Sequence, residues 1–286
     1  MSMIRANQIQ TKHQRRQIKN LIWTVLGIGI TGLMLFPFYM MLNYSFMHQT
    51  DILNYPPPIF PPELSLDGYR RAGETIGEYL RSSLIYGFGT VLVTMLIATP
   101  AAYALVRLRS RIGSVVLFSL ILAQMAPAIV VANSLYGLFT RLDLLNTYLA
   151  VILADATIAV PFAIIIMRAF MLSIPPELAE AAVVDGAGQL RIFWSIILPL
   201  SRTALITASL FSFLFGWGDF LFALILNSDP HHTPITVGLY RFVGSYSVEW
   251  PAVMATALVA AIPAVLLLAA AQRYVAAGIT AGAVKE

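Results

Sequence analysis

Long apolar runs separated by short polar links set the pattern of this chain. Six runs, at 21–45, 80–106, 114–138, 147–171, 203–227 and 250–273, are each long enough to cross about 30 Å of hydrocarbon at about 1.5 Å per residue. Lipid offers no partner to backbone N–H and C=O groups, so each run is expected to be helical. The pattern therefore predicts an all-α, polytopic membrane protein with six transmembrane helices. Pro100, Pro127, Pro161 and Pro263 fall inside runs and predict kinks, which neighbouring helices can accommodate. Pro56, Pro57, Pro58, Pro61 and Pro62 come after the first run and predict an extended stretch instead.

The polar links differ in sign. Segment 1–20 carries Arg5, Lys12, Arg15, Arg16 and Lys19 without an acid, and the 107–113 link carries Arg107, Arg109 and Arg111. The 172–202 link carries Arg191 and Arg202, with Arg168 just before it, and the tail carries Arg273 and Lys285. With six spans these all lie on one side. The other side holds 46–79, rich in Asp and Glu, together with 139–146 and 228–249. By the positive-inside rule both termini are expected in the cytoplasm. The first run, although preceded by basic residues, is too long for a signal-peptide core and no small-x-small site comes after it, so it is expected to be a retained span. The organisation predicted is a cytoplasmic segment at 1–20, a transmembrane domain at 21–274 with a cytoplasmic loop at 173–202, and a tail at 275–286.

Composition agrees. Of 286 residues, 58% are hydrophobic and 11% charged, against about a quarter charged in soluble domains. The net charge of +4 sits beside apolar runs, not on an interleaved basic-aromatic patch, which argues against a nucleic-acid partner. There is no cysteine, so disulfides and thiolate chemistry are excluded. His231 and His232 are adjacent and no carboxylate pair completes a zinc pattern, so no metal is predicted. No Ser/His/Asp or paired-acid arrangement supports a membrane enzyme, and no catalytic residue is predicted. A Gly-x(4)-Gly-Lys-Ser/Thr phosphate loop is missing, so the chain does not bind ATP by that route.

The 172–202 link is the most distinctive stretch. Ser173 is positioned to cap a new helix, and Pro175-Pro176 break the chain direction. Glu177 and Glu180 then favour the N-terminal dipole of that short helix. Leu178, Ala181, Ala182 and Leu190 give it an apolar face, and Gly186 and Gly188 permit a tight turn. An interfacial helix with a capped start would satisfy these features. So would a helix-turn-helix whose small residues let another protein approach closely.

Glu180, Ala181, Ala182, Gly186, Ile196, Leu198 and Pro199 fall at the spacing E-A-A-x(3)-G-x(9)-I-x-L-P. That spacing, between the fourth and fifth runs, resembles the cytoplasmic coupling loop of ABC importer permeases. Ala102-Tyr103-Ala104-Leu105 before Arg107 is similar to the family's AYALAR-type segment. Leu66-Asp67-Gly68-Tyr69-Arg70 resembles its external L-D-N-Y-R element, and Trp217-Gly218-Asp219-Phe220 its W-N-E-F element, each with Gly for Asn. Gly278 to Lys285 resembles its G-L-T-x-G-A-V-K tail. Together these resemble the second permease subunit of carbohydrate importers, the maltose-type group. The resemblance implies a type I ABC importer permease fold in a bacterial inner membrane. Its expected partners are a second permease, a dimer of cytoplasmic ATPases carrying ATP and Mg, and an extracytoplasmic sugar-binding protein. Coupling to the ATPase would fall on Glu177, Glu180, Ala181, Ala182, Asp185, Gly186 and Ala187. A permease for another small polar solute, such as a polyamine, shares the loop; a secondary transporter would not need it.

Asp155 and Asp219 are the acids within the runs, and a carboxylate in lipid should face protein or water. Each lies eight residues from the outer end of its run, or about 12 Å deep, so the two are expected at one level. They line a shared cavity or form hydrogen bonds that hold the bundle; a proton or cation relay is a third reading, disfavoured because no intramembrane Lys, Arg or His is placed to join them. Trp217, within an aromatic cluster of Phe211, Phe213, Phe215, Phe220 and Phe222, is a candidate for the substrate path, as are Gln124 and Asn133. The loop 228–249, with Asp229, Tyr240 and Tyr246, resembles the family's loop that reaches into the binding protein; an interfacial aromatic belt would look the same.

Overall fold

The computed structural model of the chain describes residues 2–107, 111–243 and 248–283. Arg109, Tyr246 and Lys285 lie outside the described residues. Its helices, in chain order, are α1 (Ser2–Ser45), α2 (Gln49–Ile52), α3 (Asp67–Gly73), α4 (Ile76–Arg107), α5 (Arg111–Ala123), α6 (Ala128–Arg141) and α7 (Tyr148–Met171). Next come α8 (Pro176–Val184), α9 (Gln189–Ile192), a π-helical turn at Phe193–Ile197, α10 (Leu198–Leu200) and α11 (Arg202–Gly218). The last are α12 (Leu221–Leu226), a 3₁₀ turn at Pro230–His232, α13 (Ile235–Arg241) and α14 (Trp250–Ala283). The described residues contain no strand, only one isolated bridge between Val243 and Val248.

Four helices, α1, α4, α7 and α14, are long and apolar enough to cross a membrane unaided, and the number rises to as many as six if each of two bent pairs is one span. The runs at 80–106 and 147–171 correspond to single helices. Pro100, Pro161 and Pro263 sit inside continuous helices. The run at 114–138 is divided: α5 and α6 meet at 96° across residues 124–127. Pro127 has an extended ψ of 129° and precedes α6, and proline disfavours helical backbone at the residue before it. The run at 203–227 is divided too. α11 ends at Gly218, Asp219 is extended, and α12 restarts at Leu221. Before α11 the chain turns by 77° at Ser201.

The centre of the molecule is α4 packed along α7, with α11 against both and α14 against α11. α4 and α7 run in the same direction. Ser82 meets Tyr148 near their starts (3.2 Å), and Thr99 meets Met167 near their ends (3.6 Å). Small residues make this close packing possible. Ala98, Ala102, Ala163, Ala204 and Ala208 are all fully buried in one cluster, and close backbone approach is how apolar helices associate where lipid removes the hydrophobic drive. α1 stands apart from this core and packs along α14. None of its apolar stretch is buried, and Thr24 and Thr31 satisfy their hydroxyls on carbonyls one turn back.

A polar layer closes the end where α4 begins. The chain after α1 folds back on it: Tyr39 Oη donates to the Ile59 carbonyl at 2.8 Å, and the Ser65 amide to the Phe46 carbonyl at 2.8 Å. α3 then lies on the start of α14. A Cβ on Gly68 would stand 2.5 Å from the Pro251 carbonyl oxygen, so no larger residue fits without moving backbone. Arg71 bridges Glu74 (2.8 Å) and Glu249 (3.2 Å) beside this contact. Hydrogen bonding and charge from Glu249, with Glu74 adding, hold the Arg71 guanidinium above its ordinary pKa.

Candidate functional site

α8 emerges where α7 ends, and its start is set by proline. Pro175 precedes it with ψ 127° and Pro176 takes the first helical position, where the missing N–H would have been unpaired anyway. Ser173 does not cap this helix, contrary to the reading of the sequence. Its hydroxyl instead donates to the Phe170 carbonyl at 2.7 Å, finishing α7. The helix ends in a Schellman motif. The Ala187 amide bonds to the Ala182 carbonyl at 2.9 Å and the Gly186 amide to the Val183 carbonyl at 3.0 Å. Gly186 has φ +79°, the left-handed conformation that this motif requires and that side chains resist.

The two faces of α8 differ. Ala179 and Ala182 are buried, in the cluster that also holds Ala102, Met171 and Ala204 together with Ile192 and Ile197, and α8 packs chiefly on α9 and the π-helical turn. Glu177, Glu180, Ala181, Asp185 and Gly186 are exposed, with Ala187 half-buried. Leu178, Ala181 and Leu190, expected on the apolar face with Ala182, are exposed instead, Leu190 at 77% and Leu178 at 45%. Ala179 takes their place because it lies one turn before Ala182, on the same stripe. Val184 is 87% exposed, the most of the large apolar residues of α8. The surface on offer is therefore a short helix with carboxylates at Glu177, Glu180 and Asp185 among small and apolar residues.

A clamp that the sequence did not reveal fixes the chain after α8. Gln189 Oε1 accepts hydrogen bonds from Arg107 Nη2 (3.1 Å) and Tyr103 Oη (3.3 Å), and Arg107 Nε donates to Tyr103 Oη (3.2 Å). The Tyr103 ring lies 5.3 Å from that of Phe193. The A-Y-A-L-x-R segment at the end of α4 thus grips the exit of the loop, while α7 supplies its entrance.

The intramembrane candidates occupy different settings. Asp155 is 2% exposed, lies beside Thr90, and leaves one carboxyl oxygen without a partner. Asp219 caps the broken helix. Its Oδ1 accepts the Phe222 amide at 3.1 Å and its Oδ2 the Ala223 amide at 2.8 Å. Trp217 is buried, stacked on Phe213 with its Nε1 donating to the Ala260 carbonyl at 3.2 Å. Gln124, at the α5–α6 bend, and Asn133, on α6, are exposed. Asp155 and Asp219 therefore have different surroundings, and Gln124 and Asn133 lie on the exposed surface.

The loop after α12 is built around backbone carbonyls. The His232 carbonyl accepts from Tyr86 Oη (2.8 Å) and Asn227 Nδ2 (3.0 Å), and the His232 ring meets the Asn146 carbonyl at 2.9 Å. Asp229 accepts the His231 amide and faces His232 at 3.6 Å. Tyr240 is 54% exposed and packs edge-on against Phe220. Among the described residues no group of three or more His, Asp or Glu could hold a metal ion.

Comparison with known proteins places this architecture. The diacetylchitobiose uptake system permease protein DasC of Streptomyces coelicolor is 32% identical over 93% of this chain and 96% of its own. The trehalose/maltose transport system permease protein MalG of Thermococcus litoralis is 29% identical over 95% of this chain and 99% of its own. A chain of a bacterial ABC transporter involved in the import of the acidic polysaccharide alginate has the same fold, with a TM-score of 0.77 at 21% identity over 90% of this chain and 96% of that one. The model of the family described as "Binding-protein-dependent transport system inner membrane component" matches residues 84–281, the α8 loop included. This chain therefore belongs to the family of binding-protein-dependent transport system inner membrane components.

Proposed function

We propose that the chain is one of two related permease subunits of an ATP-driven importer, and that the exposed face of α8 docks on a cytoplasmic ATPase. The single observation that carries this reading is the two-faced geometry of α8. One face, Ala179 and Ala182, is buried in the cluster that also holds residues of α4, α7 and α11; the other presents Glu177, Glu180 and Asp185 to solvent. Alanine contacts leave no long side chain to absorb a shift, so a displacement of α8 would move the ends of α4, α7 and α11 with it. ATP binding would drive such a displacement only through unequal affinity for the two states of the permease.

In this reading α5 with α6 forms one span and α11 with α12 another, the chain crosses six times, and the α8 side and both termini face the cytoplasm. The solute would be a carbohydrate delivered by an external binding protein, because relatives over most of the chain are named for diacetylchitobiose and trehalose/maltose transport. For the path, the contacts of Asp219 and Trp217 favour a role in holding the bundle. Gln124 and Asn133 have free surface for a second permease or for solute. Asp229 and Tyr240 border the face that the binding protein would meet.

The test is co-purification and uptake. The chain should bring down an ATPase and a second permease, and proteoliposomes of the complex should accumulate an oligosaccharide only with ATP and binding protein. ATP-driven uptake by this chain alone would refute the assignment.

A further inference from the structure

Beside α8 lies a cavity of about 440 Å³, walled by the ends of α4 and α7 and by Pro175 and Pro176. Arg107, the last residue of α4, and Arg168, on the last turn of α7, both line it. Arg107 bonds only neutral partners, Tyr103 and Gln189. Arg168 Nε is buried and has no acceptor. Among the described residues neither guanidinium is within ion-pair distance of a carboxylate, although Glu180 lines the same cavity. Two cations and one carboxylate thus line a partly enclosed space, and that carboxylate belongs to the exposed side of α8.

A buried guanidinium nitrogen without an acceptor is costly, and paired guanidiniums suit the tetrahedral oxygens of phosphate. The level of the cavity narrows the ligand. It sits where two parallel apolar helices of about membrane-spanning length end together, and basic pockets between spans on the cytoplasmic side recognise anionic headgroups. We propose that this cavity binds the phosphate of an anionic phospholipid headgroup, placing a lipid against the root of the docking helix. The proposal rests on the orientation given under Proposed function. It makes coupling sensitive to the lipid of the inner leaflet, since Arg107 also holds Gln189 and Pro175 begins α8.

The full-length chain, alone and with co-purifying subunits, can be titrated with phosphatidylglycerol and with phosphatidylcholine under native mass spectrometry. The wild type should retain phosphatidylglycerol over phosphatidylcholine by about fivefold or more, and Arg168→Gln should cut that preference about fivefold. Arg168→Lys keeps the charge and should keep most of the preference, which separates loss of the site from loss of fold. Equal retention of the two lipids by wild type, or a preference unchanged in both Arg168→Gln and Arg107→Gln, overturns the proposal. If inorganic phosphate protects the chain from thermal unfolding as well as phosphatidylglycerol does, the ligand is soluble phosphate and the lipid assignment falls. If Arg168→Gln lowers ATPase co-purification while lipid preference stays, Arg168 pairs with the ATPase and the proposal also falls. Failure of any ATPase to co-purify would instead contradict the importer reading, while the lipid counts on the chain alone would still decide this one.

Discussion

Gln189 Oε1 accepts a hydrogen bond from the Arg107 guanidinium at 3.1 Å, joining the chain after α8 to the last residue of α4. The contact spans two segments that hydropathy treats as unrelated links. If α8 carries motion to the core, this bond is one of its linkages. Arg107→Ala should lower binding-protein-stimulated ATPase activity and uptake while the complex still assembles. A charge-assisted bond of this kind contributes about 1 kcal/mol once its exposure is discounted. A double-mutant cycle with Gln189→Ala should show coupling between the two sites; strict additivity would mean that the clamp is idle.

Gly186 tests the turn. Its φ is +79° and a Cβ there would meet nothing within 4 Å, so any penalty is conformational and not steric. Gly186→Val should cost roughly 1–2 kcal/mol and re-aim the end of α8. Gly186→Asn should be milder, since Asn tolerates that backbone region. Stimulated ATPase activity is the measurement, and equal activity in both variants would show that the turn is not needed.

Asp219 tests whether the broken span is held by its cap. Asp219→Ala removes both side-chain acceptors from the Phe222 and Ala223 amides and should destabilise the protein by about 0.5–2 kcal/mol. The expected signature is a lower melting temperature in detergent with transport per assembled complex preserved. Loss of transport at unchanged melting temperature would place Asp219 on the solute path instead.

Gly68 gives a steric prediction on the opposite side. Gly68→Asn restores the residue that related external elements resemble, yet its Cβ would stand 2.5 Å from the Pro251 carbonyl oxygen. Overpacking there should cost about 1–3 kcal/mol, read as a lower melting temperature. A variant as stable as wild type would mean that α3 can lift from α14 freely.

Hydropathy is an average over many residues, and that decides which elements are legible in the sequence. The runs at 80–106 and 147–171 are single helices although each contains a proline, Pro100 and Pro161, which packed neighbouring helices accommodate. The runs at 114–138 and 203–227 look equally continuous, but Pro127 and the Asp219 side chain act locally on backbone and so escape an averaged pattern. Asp219 is legible as a costly acid at depth, though not as a cap, because the cap depends on a helix break that apolar neighbours conceal. The α8 loop is legible through its spacing. Its buried stripe of Ala179 and Ala182 is not, since a nine-residue helix has too few turns for its apolar face to be read without knowing what it packs against. The Arg107–Gln189 clamp and the Gly68–Pro251 contact join residues far apart in sequence, and no local signal marks them.

The central claim, that α8 is the docking element, has one direct test. The chain has no cysteine, so a single cysteine reports without background. Val184→Cys, at an 87% exposed position of α8, and Leu64→Cys, 81% exposed in the segment before α3, place probes at opposite ends. In the assembled complex a benzophenone maleimide carried on residue 184, and not one on residue 64, should cross-link to the ATPase subunit on illumination. Cross-linking of the ATPase from residue 64, or none from residue 184 in a complex that retains its ATPase, would contradict the account.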